Sequence, residues 1–370
     1  MILEFTITAK LKIYPTPKQA ELLLETVFAY RKGCNDVSSV IFNTKILKTK
    51  VLHQLTYRSL RDNIGLRSQM AQSVRKTVIA RYKSLIGNGH DWKPISFKKP
   101  EYDLVWKKDY SLKNKHFSIN TLQGRINVLF ESKGMEHFFN KAWTFGTAKL
   151  VFKHNKWYLH IPMTKEVDEV QSKSIKQIVG IDLGINFLAV TYDSFGKTTF
   201  YNGKAIKHKR QKYKRLRKEL QKKGTASARK RLKAIGEREK RWMSDVNHCV
   251  SKAIVRMYGE NSLFVLEDLK GVRKVTEKVH RYSRYLMVSW AFYQLFQYIS
   301  YKSMMNNSES IIVDPRYTSQ KCPKCNHIEK ANRNKDIHFF ICKNCGYKSN
   351  DDRIAAMNLH FKGIEYIDKQ

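Results

Sequence analysis

Three acidic positions and four cysteines are the residues whose types and spacing could do chemistry. Asp182 lies in IVGIDLGI, directly after an unbroken apolar run, and Gly184 lets the chain turn beside it. Glu267 ends a second apolar run in SLFVLEDL, with Asp268 next to it. Side chains alternate along a strand, so only one of these two faces the same way as Asp182, and Glu267 ends the run directly. The third stretch is KSNDDRIAAMNL, where Asn350 or Asp351 can cap a helix and an aspartate falls in its first turn. A charged carboxylate after so apolar a strand is costly unless it is paired or metal-bound. Glu267 lies 85 residues from Asp182 and Asp352 another 85 from Glu267. Carboxylates gathered from such distant points suit divalent cations; two Mg²⁺ ions on the order of 4 Å apart activate a water and stabilise the leaving oxygen of a phosphodiester.

Cys322, Cys325, Cys342 and Cys345 form a C-x2-C-x16-C-x2-C pattern, the spacing of a tetrahedral zinc site. Four thiolates leave no coordination position for a substrate water, which makes this zinc structural; His327 is a redundant ligand. Cys34 and Cys249 stand alone in helical surroundings and read as small buried apolar residues. The pattern is that of a reducing compartment with a metal site, not a disulfide framework.

The cage and the carboxylates belong to a chain of 370 residues, 42% hydrophobic, long enough for two or three cores. Its 70 Lys and Arg against 32 Asp and Glu leave a net charge of +38. A folded protein this basic is expected to meet a polyanion, because bound phosphates relieve its self-repulsion and release counterions. The N-terminus has no secretion pattern and no apolar run reaches 18 residues, so neither secretion nor a membrane span is expected.

The elements that must position these residues can be read in order. Residues 5–13 alternate apolar and polar as a strand with one buried face. Thr16, Pro17 and Gln19 then supply a helix start with a capping box, and the pattern stays helical to about Ile86. Residues 95–165 are short β-like runs rich in Tyr, Phe and Trp, including Trp106 and Trp157; with Tyr14 and Trp92 these rings are read mostly as core, and otherwise as stacking surfaces for RNA. From residue 177, three apolar runs joined by tight turns predict a sheet. Residues 204–241 are a helical stretch carrying 18 Lys or Arg against three Glu. A strand at SLFVLEDL, a long helix beginning at Tyr285 and a strand at SIIVDP follow.

The ordered set KIYPTPKQAELL, GIDLGINFLAVT, VLEDL, the Trp290 helix, DPRYTSQKCPKC and CKNCGYKSNDDRIAAMNL resembles the TnpB proteins of bacterial and archaeal insertion sequences, relatives of the type V CRISPR effector nucleases. The resemblance covers essentially the whole chain. It implies an α+β multidomain fold: a wedge-like β-barrel from residues 1–15 and 90–170, a helical recognition lobe inserted at 16–89, a ribonuclease-H-like RuvC domain at 171–316 and 350–370, and a four-Cys zinc ribbon at 317–349. It further implies a transposon-encoded endonuclease, guided by RNA from the transposon end, that cuts double-stranded DNA beside a short target-adjacent motif in the prokaryotic cytoplasm, associated with the nucleoid. Asp182, Glu267 and Asp352 match the catalytic, Mg²⁺-binding positions, with Ile354 standing where the family often has Asn. A guided DNA-binding repressor that does not cut is the competing class, and it has no use for three carboxylates. The basic stretch, through Lys214, Arg215, Arg217 and Lys218, is expected to follow the backbone of a guide–target duplex.

Overall fold

The computed structural model describes residues 2–168, 170–269, 292–334 and 337–369. The chain divides into two compact units, one spanning Leu3–Glu166 and the other built mainly from Val167–Gln370.

The first unit is an eight-stranded sheet with a helical insertion. Its strands are β1 (Ile2–Tyr14), β2 (Glu101–Leu104), β3 (Tyr110–Lys113), β4 (His116–Thr121), β5 (Gly124–Glu131), β6 (Thr144–Phe145), β7 (Ala148–Lys153) and β8 (Lys156–Asp168). They run in the order β2-β7-β8-β1-β5-β4-β3, a barrel-like sheet, with β6 paired to β8. Phe5, Ala9, Leu11 and Ile13 of β1 are buried, as their alternation requires. Between β1 and β2 lie α1 (Pro17–Thr44), α2 (Thr49–Asp62) and α3 (Ser68–Gly87). The capping box opens α1: the Thr16 hydroxyl accepts from the Gln19 amide, and the Gln19 side chain accepts from the Thr16 amide. Residues 88–100 then return along α1 without regular structure. Asn35 bonds both backbone groups of Phe97, and the Trp92 indole donates to the Phe42 carbonyl.

The aromatic residues divide as expected for a core. Trp157 is buried, Trp92 packs on Tyr82 and Trp106 stacks on Phe145; Tyr14 is exposed. Cys34 is buried, but Cys249 is exposed, which corrects its reading as a core residue. Its place on the outer face of a helix is one that periodicity in a highly charged segment does not resolve.

The second unit is organised by a five-stranded sheet in the order β11-β10-β9-β12-β13. β9 (Gln177–Asp182), β10 (Phe187–Asp193) and β11 (Thr198–Asn202) form an antiparallel meander; β12 (Ser262–Glu267) and β13 (Glu309–Val313) join it in parallel. The helices are α4 (Lys204–Lys223), α5 (Ala226–Tyr258), α6 (Phe292–Met305) and α7 (Asp351–Ile367). Strand alternation sorts them onto the two faces. Val179, Ile181, Phe264 and Leu266 pack with Ile254 and Val255 of α5 and Leu295 and Ile299 of α6. Leu263 and Val265 pack on the other face with Leu359 of α7. The long helix expected from Tyr285 is described from Phe292; residues 285–291, Trp290 among them, lie outside the described residues.

The basic stretch is not one helix but a hairpin. Gly224 takes a left-handed conformation (φ 64°) that ends α4, and the Thr225 hydroxyl caps α5 by accepting from the Ala228 amide.

One position controls how α7 meets the sheet. A Cβ on Gly180 of β9 would lie 2.0 Å from the Ala356 carbonyl oxygen and 2.4 Å from the His360 amide nitrogen. The backbone of α7 therefore rests on β9 where no side chain intervenes. Gly180→Ala is expected to destabilise the protein by roughly 1–3 kcal/mol, the usual cost of overpacking. Chemical denaturation would check this; an unchanged midpoint would show that α7 does not seat on β9.

Candidate active site

β9 and β12 are parallel neighbours, with Ile181 paired to Leu266. Asp182 and Glu267 are the next residues along, so both leave the carboxyl ends of adjacent strands. The third acidic group comes from α7. Asn350 is its N-cap, and its side-chain oxygen accepts from the Asp352 and Arg353 amides at 3.0 and 3.1 Å. That places both aspartates in the first turn.

The two aspartates differ in their surroundings. Asp351 is fully buried, accepts from the Arg333 guanidinium at 2.7 Å and lies 3.5 Å from His338 Nδ1. Asp352 keeps some exposure and stands 4.0 Å from the Arg333 guanidinium. Burial drives the Asp182 carboxyl well above the usual carboxylate range, and Glu267 and then Asp352 drive it further, against the attraction of Arg333. Burial also raises Glu267, opposed by the Thr318 hydroxyl that donates to it and by Lys362 and Arg333. Asp352 is raised by burial and then by Asp351. The structure thus brings Asp182, Glu267 and Asp352 within electrostatic reach, while Arg333 is already paired with Asp351. Among the described residues, His338, Asp351 and Asp352 have ligand atoms within 4.8 Å of one another. Asp182 and Glu267 stand outside that tight group. A carboxylate raised by its acidic neighbours, as Asp182 is, is stabilised by a divalent cation placed among them.

The four cysteines gather into one cluster, with Sγ atoms 3.6 Å apart for Cys322–Cys345 and 3.5 Å for Cys325–Cys342. A tetrahedron with metal–sulfur bonds of about 2.3 Å has edges of about 3.8 Å, so the donor set fits zinc. The two halves are built alike. In each, the residue after the second cysteine is left-handed (Asn326 φ 60°, Gly346 φ 70°) and its amide returns to the first cysteine's carbonyl. Burial pushes the Cys322 thiol up to about 12, while the backbone at His327 draws Cys325 down to about 6. His327 itself pairs with Glu329 at 3.0 Å.

This cage feeds directly into the acidic site. Three short strands, β14 (Arg333–Asn334), β15 (Phe339–Ile341) and β16 (Lys348–Asn350), carry the chain to the start of α7. Cys322, Cys342 and Phe340 pack with Ile354 and Met357 of α7, which holds the helix start against the cage. Arg333 reaches Asp351 from β14. Asn358 of α7 donates to the carbonyls of Thr318 and Lys321, tying down the segment that presents the Thr318 hydroxyl to Glu267. Sequence reasoning missed Thr318, Arg333, His338 and Asn358. Nothing local marks the partners of these residues; Asn358 matched the family pattern, but its bonds to Thr318 and Lys321 form only in the fold.

On the basic hairpin, Arg215 and Lys218 are exposed, and Lys214 is half-buried. Arg217 instead pairs with Glu239 of α5, which the buried Arg210 also approaches at 3.7 Å. Its charge is used inside the hairpin.

Two family models match the chain. OrfB_IS605, described as a probable transposase, matches residues 160–285, and the Cas12f1-like TNB domain matches residues 292–359. The chain is 32% identical over 236 residues to the CRISPR-associated endodeoxyribonuclease Cas12f1 of Sulfoacidibacillus thermotolerans, covering 58% of this chain and 52% of that protein. It is 26% identical over 247 residues to the TnpB-like protein aq_aa05 of Aquifex aeolicus, covering 60% and 78%. The chain is a relative of the TnpB and Cas12f1 proteins. It spans about half the length of the Cas12f1 relatives it matches. The mini-RNA-guided endonuclease CRISPR-Cas_phi3 shares the fold, with a TM-score of 0.51 at 10% identity over 98% of this chain and 92% of that one. The two matched segments contain all three candidate carboxylates and all four cysteines.

Two outcomes follow from the site. An acid whose folded-state pKa is raised contributes stability below its ordinary pKa and loses it as pH rises through the raised value. Without added Mg²⁺ and with the cysteine cage left loaded, Asp182→Asn should therefore melt higher than wild type at pH 7–8, with the gap narrowing toward pH 4, and Mg²⁺ should stabilise wild type more than the variant. Equal responses to Mg²⁺ in calorimetry would remove Asp182 from the cation site. Cys322→Ser should lower bound zinc below one per chain and destabilise the second unit, as elemental analysis and melting would show.

Proposed function

We propose that the chain is a transposon-encoded, RNA-guided DNA endonuclease that uses Asp182, Glu267 and Asp352 to bind catalytic Mg²⁺. The observation that carries this reading is the Asp182 carboxyl, pushed up by burial and then by Glu267 and Asp352 at the carboxyl edge of the sheet. An antiparallel three-stranded meander extended by two parallel strands supports reading the second unit as a ribonuclease-H-like RuvC domain, with the cysteine cage as a structural zinc ribbon. The guide RNA and target DNA are the partners that a charge of +38 calls for.

The chain's own groups have distinct tasks. Asp182 and Glu267 offer ligands from neighbouring strand ends, and Asp352 offers one from the helix start. The Thr318 hydroxyl orients Glu267. Arg333 keeps buried Asp351 satisfied, so that Asp352 is the aspartate left for a cation. A bound divalent cation supplies Lewis acidity to the scissile phosphate and acidifies a water for in-line attack. Arg215 and Lys218, exposed on α4, attract the backbone of a guide–target duplex without reading its bases.

Protein purified with its own RNA and given a library randomised beside the target should cut DNA in Mg²⁺. Glu267→Gln should lose cutting by roughly 100-fold or more while still binding target. Wild type that binds but never cuts would overturn the nuclease reading and leave a guided DNA-binding repressor.

A further inference from the structure

The first unit contains a cavity of about 550 Å³ between α1, α3, residues 95–99 and the start of β2. One wall carries a polar chain. The Tyr30 hydroxyl lies 2.9 Å from the Thr77 hydroxyl, which donates to Asp103 at 2.6 Å. Lys149, itself partly exposed, stands 3.4 Å from both Asp103 and Glu101, so two carboxylates share one ammonium. Arg81, Lys98 and Lys99 also line the cavity and are exposed to solvent. Phe97 lines the wall, and its backbone is clamped on both sides by Asn35.

A ligand matched to this lining offers N–H donors to the carboxylates and carries a negative charge for the exposed cations. A nucleotide meets that description. An exocyclic amino group, above all the adjacent N–H donors of guanine, suits a carboxylate acceptor. The imide of uracil is flanked by carbonyls that a carboxylate repels. The base can stack on Phe97, and its phosphate meets the exposed cations. The volume lies within the range of small-molecule sites.

We propose that this cavity binds one nucleotide with an amino-bearing base, the base toward Asp103 and Glu101 and the phosphate toward Arg81, Lys98 and Lys99. The proposal does not depend on the nuclease reading, since neither the cavity nor its test involves metal or cleavage.

Calorimetric titration of the full chain with GMP, AMP, CMP and UMP in metal-free buffer tests it. GMP is expected to bind most tightly and UMP about tenfold or more weaker. The double variant Arg81→Ala, Lys98→Ala, at exposed positions that leave the core intact, should weaken GMP by a similar factor. A 5′-phosphorylated tetranucleotide with one guanine among uracils separates two sources of this chemistry. Competition with GMP would assign the cavity to a residue of a strand; its failure beside tight GMP binding would assign it to free nucleotide. No saturable binding of any nucleotide, or UMP binding as well as GMP, would overturn the proposal.

Discussion

The contact between the backbone of α7 and Gly180 is the constraint on which the second unit depends. Helices normally pack on sheets through a layer of side chains, but here the Ala356 carbonyl occupies the space a Cβ would need. Gly363 of α7 in turn makes room for the side chains of Ile178 and Val265 on the sheet. Such close approach leaves the helix little freedom to slide. Its first turn is thereby fixed beside the end of β9, and Asp352 is fixed relative to Asp182.

The cysteine cage acts on the same helix from its other end of the chain path. Without it, the segment between β13 and α7 would be a long polar loop, unable to hold an arginine in a buried carboxylate's reach. With it, Arg333 pairs with Asp351 and the first turn of α7 packs on Cys322 and Cys342. The outcome is an unequal pair of neighbouring aspartates. One is buried and paired with Arg333; the other keeps some exposure and raises the strand-end carboxyl of Asp182. Repulsion held in this way is relieved by a proton or by a cation placed among the carboxylates.

Much of this was legible in the residues, for physical reasons that differ by element. β1, β9 and β12 could be read because one buried face imposes alternation, or two impose an apolar run, and Thr16 with Gln19 is a capping box whose signal lies within four residues. The four cysteines announce their cluster by spacing. What could not be read is long-range polar pairing. Thr318 meets Glu267 and Arg333 meets Asp351 through the tertiary fold, and Arg217 turns inward to Glu239 although its sequence neighbours are indistinguishable lysines and arginines. The break of the basic stretch at Gly224 was visible as a glycine followed by a capping residue, yet the charge pattern on both sides masked it. Cys249 was misread because a small residue in a charged helix carries little periodic information.

The account's central claim is that three carboxylates remote in sequence hold divalent cation together. Crystals soaked in Mn²⁺ and measured at its absorption edge test that most directly. Anomalous density bridging Asp182, Glu267 and Asp352 is predicted. Density confined to His338, Asp351 and Asp352, or none near Asp182, would contradict it.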